Sequence, residues 1–317
     1  MRIGQNPAKF VKTVAQPERI TVCVLNYIPV LGGYYSDLLN VLKAHLSSLS
    51  LEAGLSFDLM LFDNGSCEEV QDYLLSEFNS GSIDYLFLSR KNLGKGGAWN
   101  ILFGGAPGEI IAYTDNDVLF SKNWLSSSVT LLETFPNVGM VTARPFRTNP
   151  DYYSSTLTWA QNTTDVTVER GSLVKWEDFR DFDLSLGQSL EEIEKRFNET
   201  EDVRLTYKNL QAFAGASHWQ FTAYKKVLRN YLPFTMDRPM GQVKQLDQKM
   251  NADGYLRLMT AEPFAMNMSN QVVSTANVIS KSQLKKREPK RGILGIRPVK
   301  ALLMRIYNWI FNLYYKD

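Results

Sequence analysis

Asp115-Asn116-Asp117 closes an apolar run, Ile110-Ile111-Ala112-Tyr113-Thr114, that reads as a buried strand. In an α/β sheet ligands bind outside the carboxyl ends of the strands, so two carboxylates projecting from such an end face a ligand crevice. Hard divalent cations such as Mg²⁺ or Mn²⁺ take oxygen ligands and share their remaining positions with substrate phosphates. The pair therefore points to a diphosphate held through a metal. Taken alone, the triplet also fits an ordinary turn, because Asp and Asn hydrogen-bond their own backbone there. A second acidic strand end favours the site: Phe57-Asp58-Leu59-Met60-Leu61-Phe62 runs into Asp63-Asn64-Gly65-Ser66.

The elements that must position these carboxylates alternate as a doubly wound sheet requires. Ile20 to Ile28 reads as a strand, and Tyr34 to Leu51 follows with Leu38, Leu39, Leu42, Leu46 and Leu49 at helical spacing. The unit repeats: strand 57–62 before helix 68–78, strand 84–88 before helix 94–103, then strand 109–114 with the acidic triplet. Helix 123–134 and strand 138–143 close this half. In the second half, 152–174 has the alternation of short strands and 183–197 reads as one charged helix. Residues 210–216 begin an apolar strand, 227–231 and 241–252 read as helices, and 255–258 reads as a late strand.

Composition bounds the function. The chain has 317 residues, 44% hydrophobic and 21% charged, which is ordinary globular usage with room for a large core. Two cysteines, Cys23 and Cys67, make no disulfide framework. Residues 1–20 lack the apolar core of a signal peptide, and together these features point to the cytoplasm. The turn after the first strand, Asn26 to Gly33, lacks the Gly-x-Gly-x-x-Gly of a dinucleotide site, and Gly94-Lys95-Gly96-Gly97 lacks the spacing of a P-loop. Without a glycine cradle, a metal must carry the phosphate charge. Of the two histidines, His45 reads as structural within an apolar helix. His218, followed by Trp219, suits either a sugar contact or a packed corner, and neither spacing supports zinc.

As a set in chain order, these motifs resemble the GT-A glycosyltransferases, within them the inverting, nucleotide-sugar-dependent family 2 type, over roughly residues 20 to 270. The resemblance implies an α/β fold of GT-A type, Rossmann-like with a doubly wound, mostly parallel sheet. Thr21 to Pro29, with Asn26 and Tyr27, looks like the opening strand whose end touches the nucleobase. Asp63 and Asn64 match the position that reads the pyrimidine ring. Arg90, Asn92, Leu93, Gly94, Gly96, Gly97, Ala98 and Asn100 resemble the stretch lining the nucleotide-sugar pocket. Asp115 and Asp117, with Asn116 between them, match the Asp-x-Asp motif that binds ribose and metal-diphosphate, which implies Mn²⁺ or Mg²⁺ as cofactor. Gly215 and Ala216 followed by His218 to Leu228 resemble the acceptor-side segment, with His218 and Trp219 facing the acceptor. The segment 246–258 looks like the helix and strand that carry the catalytic base, so Asp247 is the implied base and Asp237 the runner-up. The competing reading of Asp247 is a solvated helix carboxylate. Where many relatives place a metal-binding histidine, Asn267 stands here, a weaker ligand for such ions.

The tail carries a separate signal. Residues 281–317 hold ten basic side chains against two acids, net +8, which leaves −6 on the rest of the chain. From Pro298, residues 299–316 place Arg305, Asn308 and Asn312 on a narrow polar stripe of an otherwise apolar helix, too short and interrupted to span a bilayer. With Trp309 and Tyr307, this amphipathic C-terminal helix suits an anionic membrane interface; a helix docked on protein is the alternative. An acidic body argues against nucleic acid.

The expected organisation is an N-terminal extension (1–19), a nucleotide-sugar half (20–145), an acceptor and catalytic half (146–279) and a basic linker with the membrane-associating helix (280–317). The expected activity is transfer of a sugar, with inversion, from a UDP- or dTDP-sugar to a lipid-linked or glycan acceptor in bacterial O-antigen or capsule synthesis, at the inner face of the cytoplasmic membrane. The aromatic stretches Tyr152-Tyr153 and Trp176 suit either an acceptor groove or a contact in a homo-oligomer. Two rivals are a catalytically impaired nucleotide-binding scaffold and a sugar nucleotidyltransferase. The latter would carry a basic Gly-rich loop that 26–33 lacks.

Overall fold

Central parallel strands are covered on both faces, so they read as near-continuous apolar runs. That is the pattern at β1 (Ile20–Asn26), whose first five residues are all buried. In the computed structural model, which describes residues 3–51, 53–238, 240 and 242–272, β1 leads into α1 (Leu38–Ser50), β2 (Asp58–Asp63), α2 (Glu68–Asn79) and β3 (Tyr85–Leu88). Then follow α3 (Gly94–Gly105), β4 (Ile110–Asp115), β5 (Val118–Phe120), α4 (Trp124–Thr134) and β6 (Val138–Thr142). The second half contains α5 (Ser154–Gln161), β7 (Val166–Gly171), α6 (Trp176–Ser185), α7 (Leu190–Glu199), β8 (Asp202–Tyr207), β9 (Leu210–Ala214) and β10 (Gln220–Tyr224). It closes with α8 (Lys225–Leu228), α9 (Gln242–Ala252), β11 (Leu256–Thr260) and β12 (Ala265–Asn267).

Among the described residues, ten strands form one sheet in the order β3-β2-β1-β4-β10-β6-β11-β9-β8-β7. The pairings run β3, β2, β1, β4, β6, β11 and β8 in one direction and β10, β9 and β7 in the other, so the sheet is mostly parallel as expected. Parallel register sets Asn26 beside Asp63 and Leu25 beside Asp115. The polar ends of β1, β2 and β4 therefore finish side by side. β10 enters antiparallel between β4 and β6, with Gln220 opposite Thr114. Its direction brings residues 217–219, which precede it, to the same end of the sheet as the acidic triplet.

One face of the sheet is sealed by α3 and α9. Trp99 and Phe103 of α3 pack on Tyr113 and Phe221 of the sheet, with ring centroids 5.4 to 6.3 Å apart, and Leu246 and Met250 of α9 join the same core. Burying each such side chain stabilises by roughly 1.5–3 kcal/mol, which fixes α3 and α9 against the strand ends that matter. His45 of α1 is fully buried, as its place in an apolar helix implies, and its Nδ1–H donates to Val118 O at 2.6 Å.

The second half departs from the sequence reading in several places, strands β10 and β12 among them. Ser154–Gln161 is a helix, not part of a run of short strands. Its buried faces are Thr156 and Ala160, four residues apart, and small polar residues hide that spacing. The charged segment 183–197 is split into α6 and α7, with Gly187 at φ +83° in the break and a Ser189/Glu192 capping box starting the second helix. Strand β8, preceded by charged residues, goes unmarked by periodicity and is held by antiparallel pairing to β7 and β9. The expected tail helix, residues 298–316, and the basic linker before it lie outside the described residues. Among the described residues no helix is long and apolar enough to cross a membrane.

Candidate active site

The strand ends form a connected polar row. Asn26, buried at the end of β1, donates from Nδ2 to Asp63 Oδ1 at 2.8 Å and accepts on Oδ1 from Asn116 Nδ2 at 2.6 Å. Asp63 is fully buried and also accepts from the Ser66 amide (3.0 Å), the Ser66 hydroxyl and Gln71 Nε2 (3.2 Å). A buried carboxylate needs such donors, since its desolvation is otherwise uncompensated. Beside it Asn64 accepts from Leu93 N at 2.7 Å and donates to Asn92 Oδ1 at 3.0 Å, while Asn92 Oδ1 accepts from Gly94 N at 2.8 Å. Asn64 thus ties the end of β2 to the start of α3. Gly65 has φ +91°, and a Cβ there would stand 3.2 Å from Lys91 C and 3.3 Å from Asn92 N, so a side chain at this turn is strained and crowded by backbone.

The acidic pair lies one strand further. Asp115 Oδ2 accepts from Lys95 Nζ at 2.8 Å, and Oδ1 accepts from the Tyr113 hydroxyl at 2.5 Å. Lys95, buried at the start of α3, also stands over the rings of Trp99 and Tyr113. Burial raises the Tyr113 phenol, and the charge of Asp115 raises it further. Asp117 has no such cation at hydrogen-bond distance among the described residues. Burial, and then the repulsion of Asp115, push its carboxyl up to about 7. Asn267 comes beside it because β12 pairs with β5, Asn267 opposite Val118, and Met268 N donates to Asp117 O at 2.7 Å. Asn267 Oδ1 accepts from Ser269 N at 2.6 Å and keeps a second lone pair.

These residues fit a hard divalent cation. Such ions use one or two carboxylates plus substrate phosphate oxygens rather than a full protein cage. Among the described residues there is no cluster of three or more His, Cys, Asp or Glu. The raised Asp117 carboxyl marks a place where an added positive charge would relieve a real electrostatic cost.

Ahead of β10, Asp115 N donates to Trp219 O at 2.9 Å, which fixes the His218-Trp219 corner against the end of β4. Trp219 packs on Phe182 and Phe146, with centroids 5.5 and 6.2 Å away, and its buried indole N–H has no protein partner among the described residues. Asp247 of α9 is only 3% exposed, so it is not a solvated helix carboxylate. Its Oδ2 meets His218 Nδ1 at 2.8 Å and its Oδ1 accepts from Arg257 Nη2 at 2.5 Å. Asp237 lies on an exposed loop, 3.1 Å from Thr235 Oγ1 and 3.5 Å from Arg238 Nε.

The structure therefore brings together Asn26, Asp63, Asn64, Asn92, Gly94, Asp115, Asn116, Asp117, Asn267, His218 and Trp219. Tyr27 follows β1 with its ring exposed, and Arg90 is exposed on the loop after β3. Asn100 exchanges two hydrogen bonds with the Phe234 backbone, and a Cβ at Gly97 would meet Met236, so α3 carries the 232–238 loop on that flank. Three contributors carry no role in the sequence reading: Lys95, Ser66 and Arg257. Each acts across 3 to 20 residues of sequence on a partner that periodicity does not mark; Lys95 inside a glycine-rich turn is the one visible hint.

Comparison with known proteins follows the same pattern. The family model described as Glycosyl transferase family 2 matches residues 22–207. An uncharacterised glycosyltransferase of Nostoc sp. (strain PCC 7120) is 28% identical over 125 residues, 39% of this chain and 35% of that protein, so the match spans about a third of the relative's length. Among solved structures, a mannosyltransferase from Pyrobaculum calidifontis in complex with GDP-Man and Mn²⁺ aligns at TM-score 0.47 and 17% identity, covering 93% of this chain and 65% of that one. S. aureus TarS 1-349 aligns at TM-score 0.45 and 13% identity, covering 82% and 68%. With more than half of its length matched by the family model, and a mixed, mostly parallel sheet of GT-A type, this chain belongs to glycosyl transferase family 2.

Proposed function

We propose that the protein transfers a sugar, with inversion, from a nucleotide-sugar donor, UDP- or dTDP-linked, to a glycan or lipid-linked acceptor. The observation that carries this reading is the convergence of Asp63, Asn26, Asn116, Asp115 and Asp117 on one end of the sheet. Asp63 and Asn26 stand at the end of the sheet where the base would sit, and Asn116 and Asp115 where the ribose would. Asp117 and Asp115, with Asn267 adjacent, would hold Mn²⁺ or Mg²⁺. When bound, the cation supports the charge that develops on the departing diphosphate.

Single displacement at an anomeric carbon needs a group that takes the proton of the attacking hydroxyl. The His218–Asp247 pair, at the same end of the sheet, is the candidate for that role, with Asp237 as a second carboxylate. Lys95 orients Asp115 and lowers the cost of holding two carboxylates beside each other. The net charge of +8 on residues 281–317 supports peripheral attachment to an anionic membrane on the cytoplasmic side, where lipid-linked acceptors of surface polysaccharide such as O-antigen or capsule are elongated.

Calorimetric titration with UDP, dTDP and GDP, with and without Mn²⁺, compares wild type with Asp117→Ala. Metal-dependent binding of one nucleotide, lost in the variant, is the expected result. Absence of nucleotide binding under both conditions would overturn the reading. A second reading, a nucleotide-binding scaffold without turnover, draws on Asn267 at the metal position. Release of nucleoside diphosphate from a bound donor separates the two.

A further inference from the structure

The His218 side chain is open to solvent and that of Asp247 is not. Asp247 is 3% exposed and both of its oxygens meet protein groups, Oδ1 with Arg257 and Oδ2 with His218. Arg257 is fully buried and holds the carboxylate while donating also to Ala216 O and Tyr152 O, each at 2.7 Å. A hydroxyl arriving from solvent meets the His218 ring first, since that side chain is 26% exposed. Its Nδ1 is engaged by Asp247, and among the described residues nothing is hydrogen-bonded to Nε2. The bond from Asp115 N to Trp219 O ties the residue after His218 to the last residue of β4, so the His218 backbone lies at the same end of the sheet as the acidic triplet.

We propose that His218 Nε2, and not a carboxylate oxygen, takes the acceptor proton, with Asp247 and Arg257 as positioning residues behind it. This rests on the transferase reading above. The acceptor oxygen forms its bond to the anomeric carbon as the bond from that carbon to the diphosphate oxygen breaks, and the electron pair leaves with the nucleoside diphosphate. The acceptor proton passes to Nε2. The resulting imidazolium is stabilised by Asp247, whose hydrogen bond to Nδ1–H also fixes the tautomer that leaves Nε2 free, the arrangement by which a buried carboxylate orients a histidine base. The charged groups joined to the ring are Asp247 from α9 and, behind it, Arg257 from β11.

The chain contains only two histidines, so ¹⁵N NMR of the ring nitrogens isolates His218 once His218→Gln removes its signals. At neutral pH the wild type should show a protonated Nδ1 and a bare Nε2, and Asp247→Asn should abolish that preference. Release of UDP or dTDP from UDP-glucose and dTDP-glucose with Mn²⁺ reads turnover. His218→Gln should lower kcat by roughly 10² to 10⁴-fold and remove the acid limb of the pH–rate profile, with nucleotide affinity within about twofold of wild type. A protonated Nε2 in the wild type, or a His218→Gln enzyme with kcat within about threefold and an unchanged acid limb, would overturn the proposal while nucleotide binding kept the transferase reading intact. Loss of nucleotide binding by the wild type itself would remove both.

Discussion

Lys95 Nζ lies 2.8 Å from Asp115 Oδ2, across a pair whose side chains are 8% and 29% exposed. The pair joins the first turn of α3 to the last residue of β4 and holds one of two adjacent carboxylates in place. Lys95→Met should therefore destabilise the metal-free protein by about 2 kcal/mol, less than a fully buried pair because Asp115 is partly solvated. Urea unfolding measures the loss. Mn²⁺ with UDP should restore part of it, since bound cation then screens Asp115 from Asp117.

Gly97 marks a close approach. A Cβ there would stand 2.7 Å from Leu93 Cβ and 3.1 Å from Met236 Cε. Gly97→Ala should cost about 1–3 kcal/mol, shift the 232–238 loop and weaken nucleotide binding. Gly104→Ala on the same helix meets nothing within 4 Å and should be neutral or stabilising by up to about 1 kcal/mol. Thermal melts of the two variants, with nucleotide titration, check the contrast.

His45 gives the fold an acid-sensitive group. Burial lowers its pKa from 6.5 to about 4. Between those values the unfolded chain binds a proton that the folded chain refuses, so its contribution is complete above 6.5 and falls as pH drops toward 4. The full loss is about 3 kcal/mol. Asp117, whose pKa is raised from 3.8 to about 7, acts with the opposite sign over the overlapping window, because the folded state takes up the proton first. The wild-type curve therefore blends the two, and comparison with His45→Asn isolates the histidine: the difference in unfolding free energy between wild type and variant should fall as pH goes from 6.5 to 4. A difference independent of pH would contradict the assignment.

Removing residues 297–317 should release the protein from anionic lipid vesicles while leaving nucleotide affinity unchanged, because this segment holds the apolar stretch with Tyr307 and Trp309, four of the ten basic side chains of 281–317 and none of the nucleotide residues. Vesicle sedimentation at low and high salt reads the effect. Undiminished binding by the truncated protein would sink the anchoring idea.

The parallel half of the sheet and its acidic ends were legible in the chain alone. Strands buried on both faces must be continuously apolar, and Ile20–Leu25, Leu59–Phe62 and Ile110–Thr114 can be little else; a polar residue at the end of each, Asn26, Asp63 and Asp115, then has to emerge at the ligand edge. Helices α1 to α4 followed from apolar spacing for the same local reason. What tertiary structure decided has no local signature. Strand β10 carries buried Gln220 and Thr222, and becomes a strand because β4 and β6 supply its hydrogen bonds. The Asn26–Asp63 bond, the Lys95–Asp115 pair and the His218–Asp247–Arg257 chain join residues 37, 20, 29 and 10 positions apart. Periodicity reports which face of an element is buried; which charged side chain another element brings against it depends on strand order and register, and those are fixed only when the sheet assembles.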